Sequence, residues 1–193
     1  RSGMVSVSDI ENEITDETVL VSVMFANNEI GTINPIAEIG KLCREKGVYF
    51  HTDAVQATGA VEIDVNEMNI DLLSMSAHKF HGPKGVGALY VRKGVQIENL
   101  IHGGAQESGK RATTENVAGV VGMAEALSEA TANLEEKTTK ITALRDYLIK
   151  TVLETVPYTR LNGHPEKRLP NNTSFCFKYI EGESLLLSLD MQG

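Results

Sequence analysis

PIAEIGKLCREKGVYFHTD, residues 35–53, is the stretch that decides the fold. Pro35 opens it, and Ile36, Ile39, Leu42 and Cys43 recur at the spacing of one helix face over 35–46. Gly47 stands where a helix ends in a left-handed turn. A strand at 48–51 follows at once. Upstream, VLVSVMF at 19–25 is a short, nearly continuous apolar run, the pattern of a strand buried on both faces of a sheet. Downstream, the next cycle runs through 54–60 and 65–70, read as helix, into a strand at Leu72–Ser76; another strand is predicted at 86–91, after the Gly82-to-Gly85 turn. Short alternation of strand and helix predicts an α/β sheet with helices on its faces and ligands at the carboxyl ends of its strands.

Further along, residues 115–130 read as a helix entered through Thr113, Thr114 and Asn116, and 131–155 as a long, charged helix. A second, smaller unit begins there, with a strand at 173–179 that places Phe175, Phe177 and Tyr179 on one face and a helix at 183–189. The expected division is 1–130 and 131–193.

Composition narrows the function classes. The 193 residues, 41% of them hydrophobic, suffice for a sizeable core. Eighteen basic against twenty-six acidic residues give a net charge of −8, without the basic run that would follow a phosphate backbone, so nucleic acid is not expected as a partner. No apolar stretch approaches the roughly 20 residues that span a bilayer. Residues 1–20 are acidic where a signal peptide would be apolar, so a cytoplasmic protein is expected. Cys43 and Cys176 lie far apart without Cys-x-x-Cys spacing, which predicts neither a disulfide framework nor a zinc knuckle. Each reads as a buried structural thiol, Cys43 on an apolar helix face and Cys176 mid-strand among aromatics.

The strongest chemical signal is SAHKFHGPKGVG at 76–87. A lysine at the end of a buried strand, before a glycine-rich turn, is placed to become a desolvated amine able to form a Schiff base; a solvated loop lysine is the alternative. One crossover earlier, HTDAVQ at 51–56 again ends an apolar strand. Asp53 there suits a carboxylate that pairs with a cofactor's ring nitrogen, with a helix N-cap as the alternative. Gln56 is expected in the first turn of the next helix, within reach of a cofactor oxygen. Right-handed crossovers bring the carboxyl ends of parallel strands to one edge, so Asp53 and Lys79 are expected to share a site.

Taken together, ANNEIG at 26–31, HTDAVQ at 51–56, SAHK at 76–79, GPKGVG at 82–87 and RATTENV at 111–117 resemble cysteine desulfurases of the nitrogen-fixation and iron–sulfur-cluster type, in the class V aminotransferase family. The likeness runs from about residue 15 to the end. It implies the fold type I of pyridoxal-phosphate (PLP) enzymes: part of a large cofactor domain, with a mainly parallel sheet and helices on both faces, plus part of a small C-terminal α+β domain. By that resemblance Lys79 holds PLP, Asp53 pairs with the pyridine nitrogen, and Gln56 with Asn28 contacts the ring oxygen and the substrate side. Ser76 and His78 bind the phosphate, and Thr114 reaches the phosphate of a neighbouring subunit's cofactor, which implies a homodimer. The implied substrate is L-cysteine, the product alanine, and the sulfur recipient an iron–sulfur scaffold or other acceptor protein.

Two departures stand in the loop GGAQESGKRATT at 103–114: Ser108 replaces the usual arginine and Thr113 the usual glycine. Thr113 is a poor choice for any turn needing positive φ. The Asn171–Asn172 pair and Glu181–Ser184 match the small domain and read as structural. The resemblance places the persulfide-forming cysteine beyond residue 193 and a PLP-stacking histidine before residue 1; both ends read as cut, and the chain alone is expected to be inactive. Three alternatives stay open: another fold type I enzyme such as a selenocysteine lyase or aminotransferase, a metal site built from His51, Asp53, His78 and His81, and a non-enzymatic interaction module.

Overall fold

In the computed structural model, which describes residues 2–193, four strands lie side by side in the order they occur in the chain. Elements are numbered along the chain, beginning with α1 (Val7–Glu13), β1 (Leu20–Met24), α2 (Ile36–Lys46) and β2 (Tyr49–Asp53). β3 (Leu72–Ser76) continues the parallel sheet, and β4 (Gly87–Val91) returns antiparallel to it. α1, unanticipated from the sequence, is capped by Ser6, whose hydroxyl accepts from the Asp9 amide.

α2 forms as its spacing predicts. Ile36, Ile39, Leu42 and Cys43 are buried, the first two and Cys43 in a cluster with Phe25, Phe50, Ile70 and Leu73, and Gly47 closes the helix at φ 72°. Gly40 lets the helix sit directly on the turn before β3, since a Cβ there would collide with the Met68 carbonyl. Asp71 anchors the sheet's far end: its buried carboxylate accepts from the Phe50 amide at 2.8 Å and faces Arg92 Nε at 2.5 Å.

Three expectations are corrected. Residues 54–60 and 65–70 form successive turns rather than helix: three- and four-residue bonds onto the Ala54 carbonyl compete and Gly59, at φ 77°, ends the first run, and Asn69, at φ 53°, ends the second. β1 is not buried on both faces. Val21 and Val23 join Phe50, Leu73 and Met75 against the core, whereas Ser22 and Leu20 on the other face are exposed, Leu20 by 48%. The long helix also starts later than read. α3 (Val117–Thr131), with Asn116 Oδ1 accepting from the Gly119 amide, is broken from α4 (Leu134–Thr155) by Asn133 at φ 54°.

α3 places Met123 against Ala77 and Phe80, the buried residues of the turn after β3. Beyond α4, β5 (Thr159–Leu161) and β6 (Phe175–Phe177) make a two-stranded antiparallel sheet, followed by α5 (Gly182–Asp190). β5 was not foreseen, and β6 is shorter than the strand read at 173–179. No helix among the described residues is long and apolar enough to cross a membrane.

Candidate active site

Parallel pairing brings the carboxyl ends of β1, β2 and β3 to one edge, as expected. Asp53 lies opposite Met24 and Ser74 in register, and Ser76 stands one pleat beyond Ser74 on the same face. Asn28 follows β1, Gln56 follows β2, and His78 with Lys79 follows β3, so six of the seven candidate residues gather at this edge.

Asp53 is half-buried. Its Oδ1 accepts from the Val55 amide at 2.9 Å, the cap-like role, while no donor to Oδ2 is found among the described residues. The cap and the free oxygen coexist, so the local turn fixes the carboxylate without exhausting it. Gln56 is half-buried in the turn after β2, not in a helix.

The turn Ala77–Phe80 is a single 3-10 turn. Ala77 and Phe80 point inward, His81 closes the turn at φ 68°, and His78 and Lys79 are left outward. Lys79 is therefore exposed here, in contrast to the desolvated amine expected, because the two inward residues of a four-residue turn leave the other two on the solvent side. Ser76 Oγ and His78 Nδ1 are 2.8 Å apart, a hydroxyl–imidazole pair beside the lysine.

On the same face of the sheet, His51 belongs to a set of strand-to-strand contacts rather than to a metal site. His51 Nδ1 is 2.7 Å from Ser22 Oγ and its Nε2 is 2.8 Å from Ser74 Oγ, so one imidazole straps β1, β2 and β3 together. Burial lowers the His51 pKa below the ordinary 6.5, opposed by the neighbouring Asp53 carboxylate. The ring is neutral near pH 7, with one nitrogen donating and the other accepting. A period-two signal existed: polar Ser22, His51, Asp53, Ser74 and Ser76 alternate with apolar Val21, Val23, Phe50, Leu73 and Met75.

Thr114 stands apart, exposed in the loop before α3 and unconnected by hydrogen bonds to the cluster. Thr113 takes φ 90°, the left-handed region that favours the glycine it replaces, and its hydroxyl accepts from Arg111 Nη1 at 3.0 Å. Ser108 is also left-handed, at φ 57°.

Among the described residues no three His, Cys, Asp or Glu side chains converge as a metal set would, and His51 is taken by two serines. The cysteines differ. Cys43 is fully buried, and burial first, then Asp71, pushes its thiol up to about 11. Cys176 is exposed, contrary to the buried thiol expected, because β6 turns its middle residue outward; hydrogen bonding to Asn162 and Arg160 lowers its pKa. A cavity of about 820 Å3 opens on the opposite face of the sheet, between residues such as Val61, Leu73, Leu127 and Leu134, and holds none of the candidates.

The donor set suits PLP. A carboxylate with one oxygen unengaged fits a protonated ring nitrogen, the Ser76–His78 pair fits a phosphate, and an amine stands on the same edge.

Comparison with known proteins gives the same direction. All of residues 1–193 match the family described as aminotransferase class-V. A cysteine desulfurase IscS of Clostridium botulinum is 64% identical over the whole chain, and one of Methanosarcina thermophila 59%; the chain covers 49% and 48% of these proteins. Among solved structures, a NifS-like protein superposes with a TM-score of 0.93 at 40% identity over all of this chain and 53% of its own. DndA of Streptomyces lividans does so at 0.86 and 32% identity, over 98% of this chain and 54% of its own. The chain thus spans about half the length of the relatives it matches. With the strand order, the edge-clustered Asp53 and Lys79 and a match over every residue in hand, this chain belongs to the class-V aminotransferase family.

Proposed function

We propose that these residues form part of a PLP-dependent cysteine desulfurase, which converts L-cysteine to L-alanine and passes the sulfur to an enzyme thiol. The observation that carries this reading is the placement of Lys79, Ser76 and His78 at the end of β3 beside Asp53 at the end of β2. The names of the relatives support it.

The Val55 amide holds Asp53 through Oδ1, which leaves Oδ2 as the oxygen that would pair with a ring nitrogen. Lys79 Nζ would hold the cofactor, and the same amine would move a proton at the substrate Cα. When bound, PLP supplies an electron-withdrawing ring that stabilises charge developing at that carbon. Asn28 and Gln56 donate to the ring oxygen and the substrate side, and Ser76, His78 and a neighbouring subunit's Thr114 hold the phosphate. A thiolate then attacks the substrate sulfur: an S–S bond forms, the C–S bond breaks, and the carbon takes a proton to give alanine. Cys43 is too deeply buried and too weakly acidic for that role, and Cys176 lies in β6 rather than in a loop at the site. The thiol is assigned to a segment outside residues 1–193.

The same reading makes residues 1–130 part of the cofactor domain and 131–193 the linking helix and part of the small domain. It makes the enzyme a cytoplasmic homodimer delivering sulfur to a scaffold or acceptor protein. Borohydride reduction of the full-length, cofactor-loaded protein followed by peptide mapping is expected to place the pyridoxyl label on Lys79. A label on another residue rejects the assignment.

A further inference from the structure

The turn at 27–31 that carries Asn28 has only short-range bonds of its own: Asn27 Oδ1 accepts from the Glu29 and Ile30 amides, and the Gly31 amide donates to Asn27 O. Its outer side is gripped by a segment some 140 residues later, as the Arg168 and Asn172 bonds show. Arg168, 3% exposed, donates through Nη2 to Ile30 O (3.2 Å) and Asn172 Oδ1 (3.3 Å), through Nη1 to Asn162 O and His164 O, and through Nε to Asn172 O. Asn172 Nδ2 in turn donates to the carbonyls of Asn28 and Glu29, each at 3.3 Å. Backbone bonds from Leu169 to Gly31 O and from Ile33 to Lys167 O close the seam on either side. The fit is close enough to require glycine: Gly31 has φ +75°, and a Cβ there would overlap the Asn172 side chain, with 2.7 Å to Cγ.

A buried guanidinium with no carboxylate bound to it among the described residues needs a reason to be there. Its five donors are spent on one acceptor from the turn and four from the loop that faces it, which is how a planar fork sets the geometry of two loops at once. We infer that Arg168 and Asn172 are positioning residues, a clamp that fixes the 27–31 turn and thereby aims Asn28 at the cofactor and substrate. This rests on the reading of Asn28 as a cofactor-side residue.

Asn172→Asp separates the functions, since it keeps an acceptor for Arg168 and removes the donor to Asn28 and Glu29. In the full-length protein we expect hydrogen exchange at the Glu29, Ile30 and Gly31 amides to rise about tenfold or more, with β2 and β3 unchanged. In the loaded enzyme, kcat is expected to fall about ten- to a hundredfold, the scale of a displaced contact group. Asn28→Ala should give a similar loss and the double variant no further loss, because Asn172 acts through Asn28. Arg168→Lys, which keeps the charge without the fork, should show the same exchange signature, and stands in if Asn172→Asp does not fold. Unchanged exchange in the turn overturns the clamp, and multiplying losses in the double variant overturn its action through Asn28. If Asn28→Ala alone leaves turnover and cofactor absorbance unchanged, the reading of Asn28 fails, whereas accelerated exchange in Asn172→Asp still supports the clamp.

Discussion

At the scale of single residues, Thr113 is where the sequence and the backbone disagree most plainly. It holds φ 90° in a loop whose other left-handed residues include Gly103, Gly109 and Ser108. A β-branched side chain in that region costs on the order of 1–3 kcal/mol. Returning glycine adds about 0.5–1 kcal/mol of unfolded-state entropy, and the exposed bond from Arg111 is worth less than that. Relief of strain wins, so Thr113→Gly is expected to stabilise the full-length protein by about 1 kcal/mol, read as a higher denaturant midpoint at unchanged slope. A lower midpoint would mean that the loop draws more from the Thr113 hydroxyl than the geometry implies. The strain itself was legible as a substitution of glycine; that the position takes positive φ could be learned only from the fold. The placement of Asp53 at the end of β2 and of Lys79 in the turn after β3 was legible because each apolar run is followed by a turn. Arg168 was not, since its partners are backbone carbonyls, which leave no pattern among side chains.

At the scale of elements, the β1–α2–β2 order from 19 to 53 and the strands near 72–76 and 87–91 were readable because α2 keeps one apolar face and the strands are short and bounded by turns. β5 escaped because its three residues, Thr-Arg-Leu, carry no period and acquire a partner only when β6 folds against them. The turns at 54–60 were misread because Ala54, Ala57 and Ala60 favour a helix that Gly59, at φ 77°, does not allow to propagate. Strand-to-strand fastening on the open face depends on His51, and its chemistry gives a pH dependence. The folded-state pKa lies below 6.5, so as pH falls the unfolded chain takes up a proton first and stability is lost. His51 contributes fully above pH 6.5 and less as pH drops through and below it. The stability gap between the wild type and His51→Ala is therefore expected to be widest at pH 7.5, about 1–3 kcal/mol for two lost hydrogen bonds, and to shrink toward pH 5. Chemical denaturation of both proteins across that range measures it, and a gap that grows on acidification would show that the imidazole is charged in the fold.

At the scale of the whole molecule, two opposed surface properties decide how these 193 residues behave when produced by themselves. Net charge of −8 keeps copies apart through repulsion that acts over about 10 Å at 0.1 M salt and about 3 Å at 1 M. Apolar side chains on several elements favour association. On the open sheet face Leu20, Tyr49 and Leu89 are more than 40% exposed; Val117 and Val121 stand out from α3, Leu144 and Tyr147 from α4, and Leu186 and Leu189 from α5. Exposed apolar surface, where contiguous, favours contact with other apolar surface. At low salt the repulsion opposes association, and as salt screens it the apolar term, which salt does not weaken, takes over. We therefore expect the isolated 193-residue chain to sediment as a mixture that shifts to larger species between 0.05 and 0.5 M salt, and to bind a hydrophobic dye. The full-length protein should remain a single species across the same range. With PLP, L-cysteine and a reductant, the isolated chain should yield no alanine, since Cys43 is buried and Cys176 stands outside the site. A salt-independent monomer that produces alanine, and continues to do so after Cys43 and Cys176 are both replaced, would reject both the surface argument and the placement of the attacking thiol.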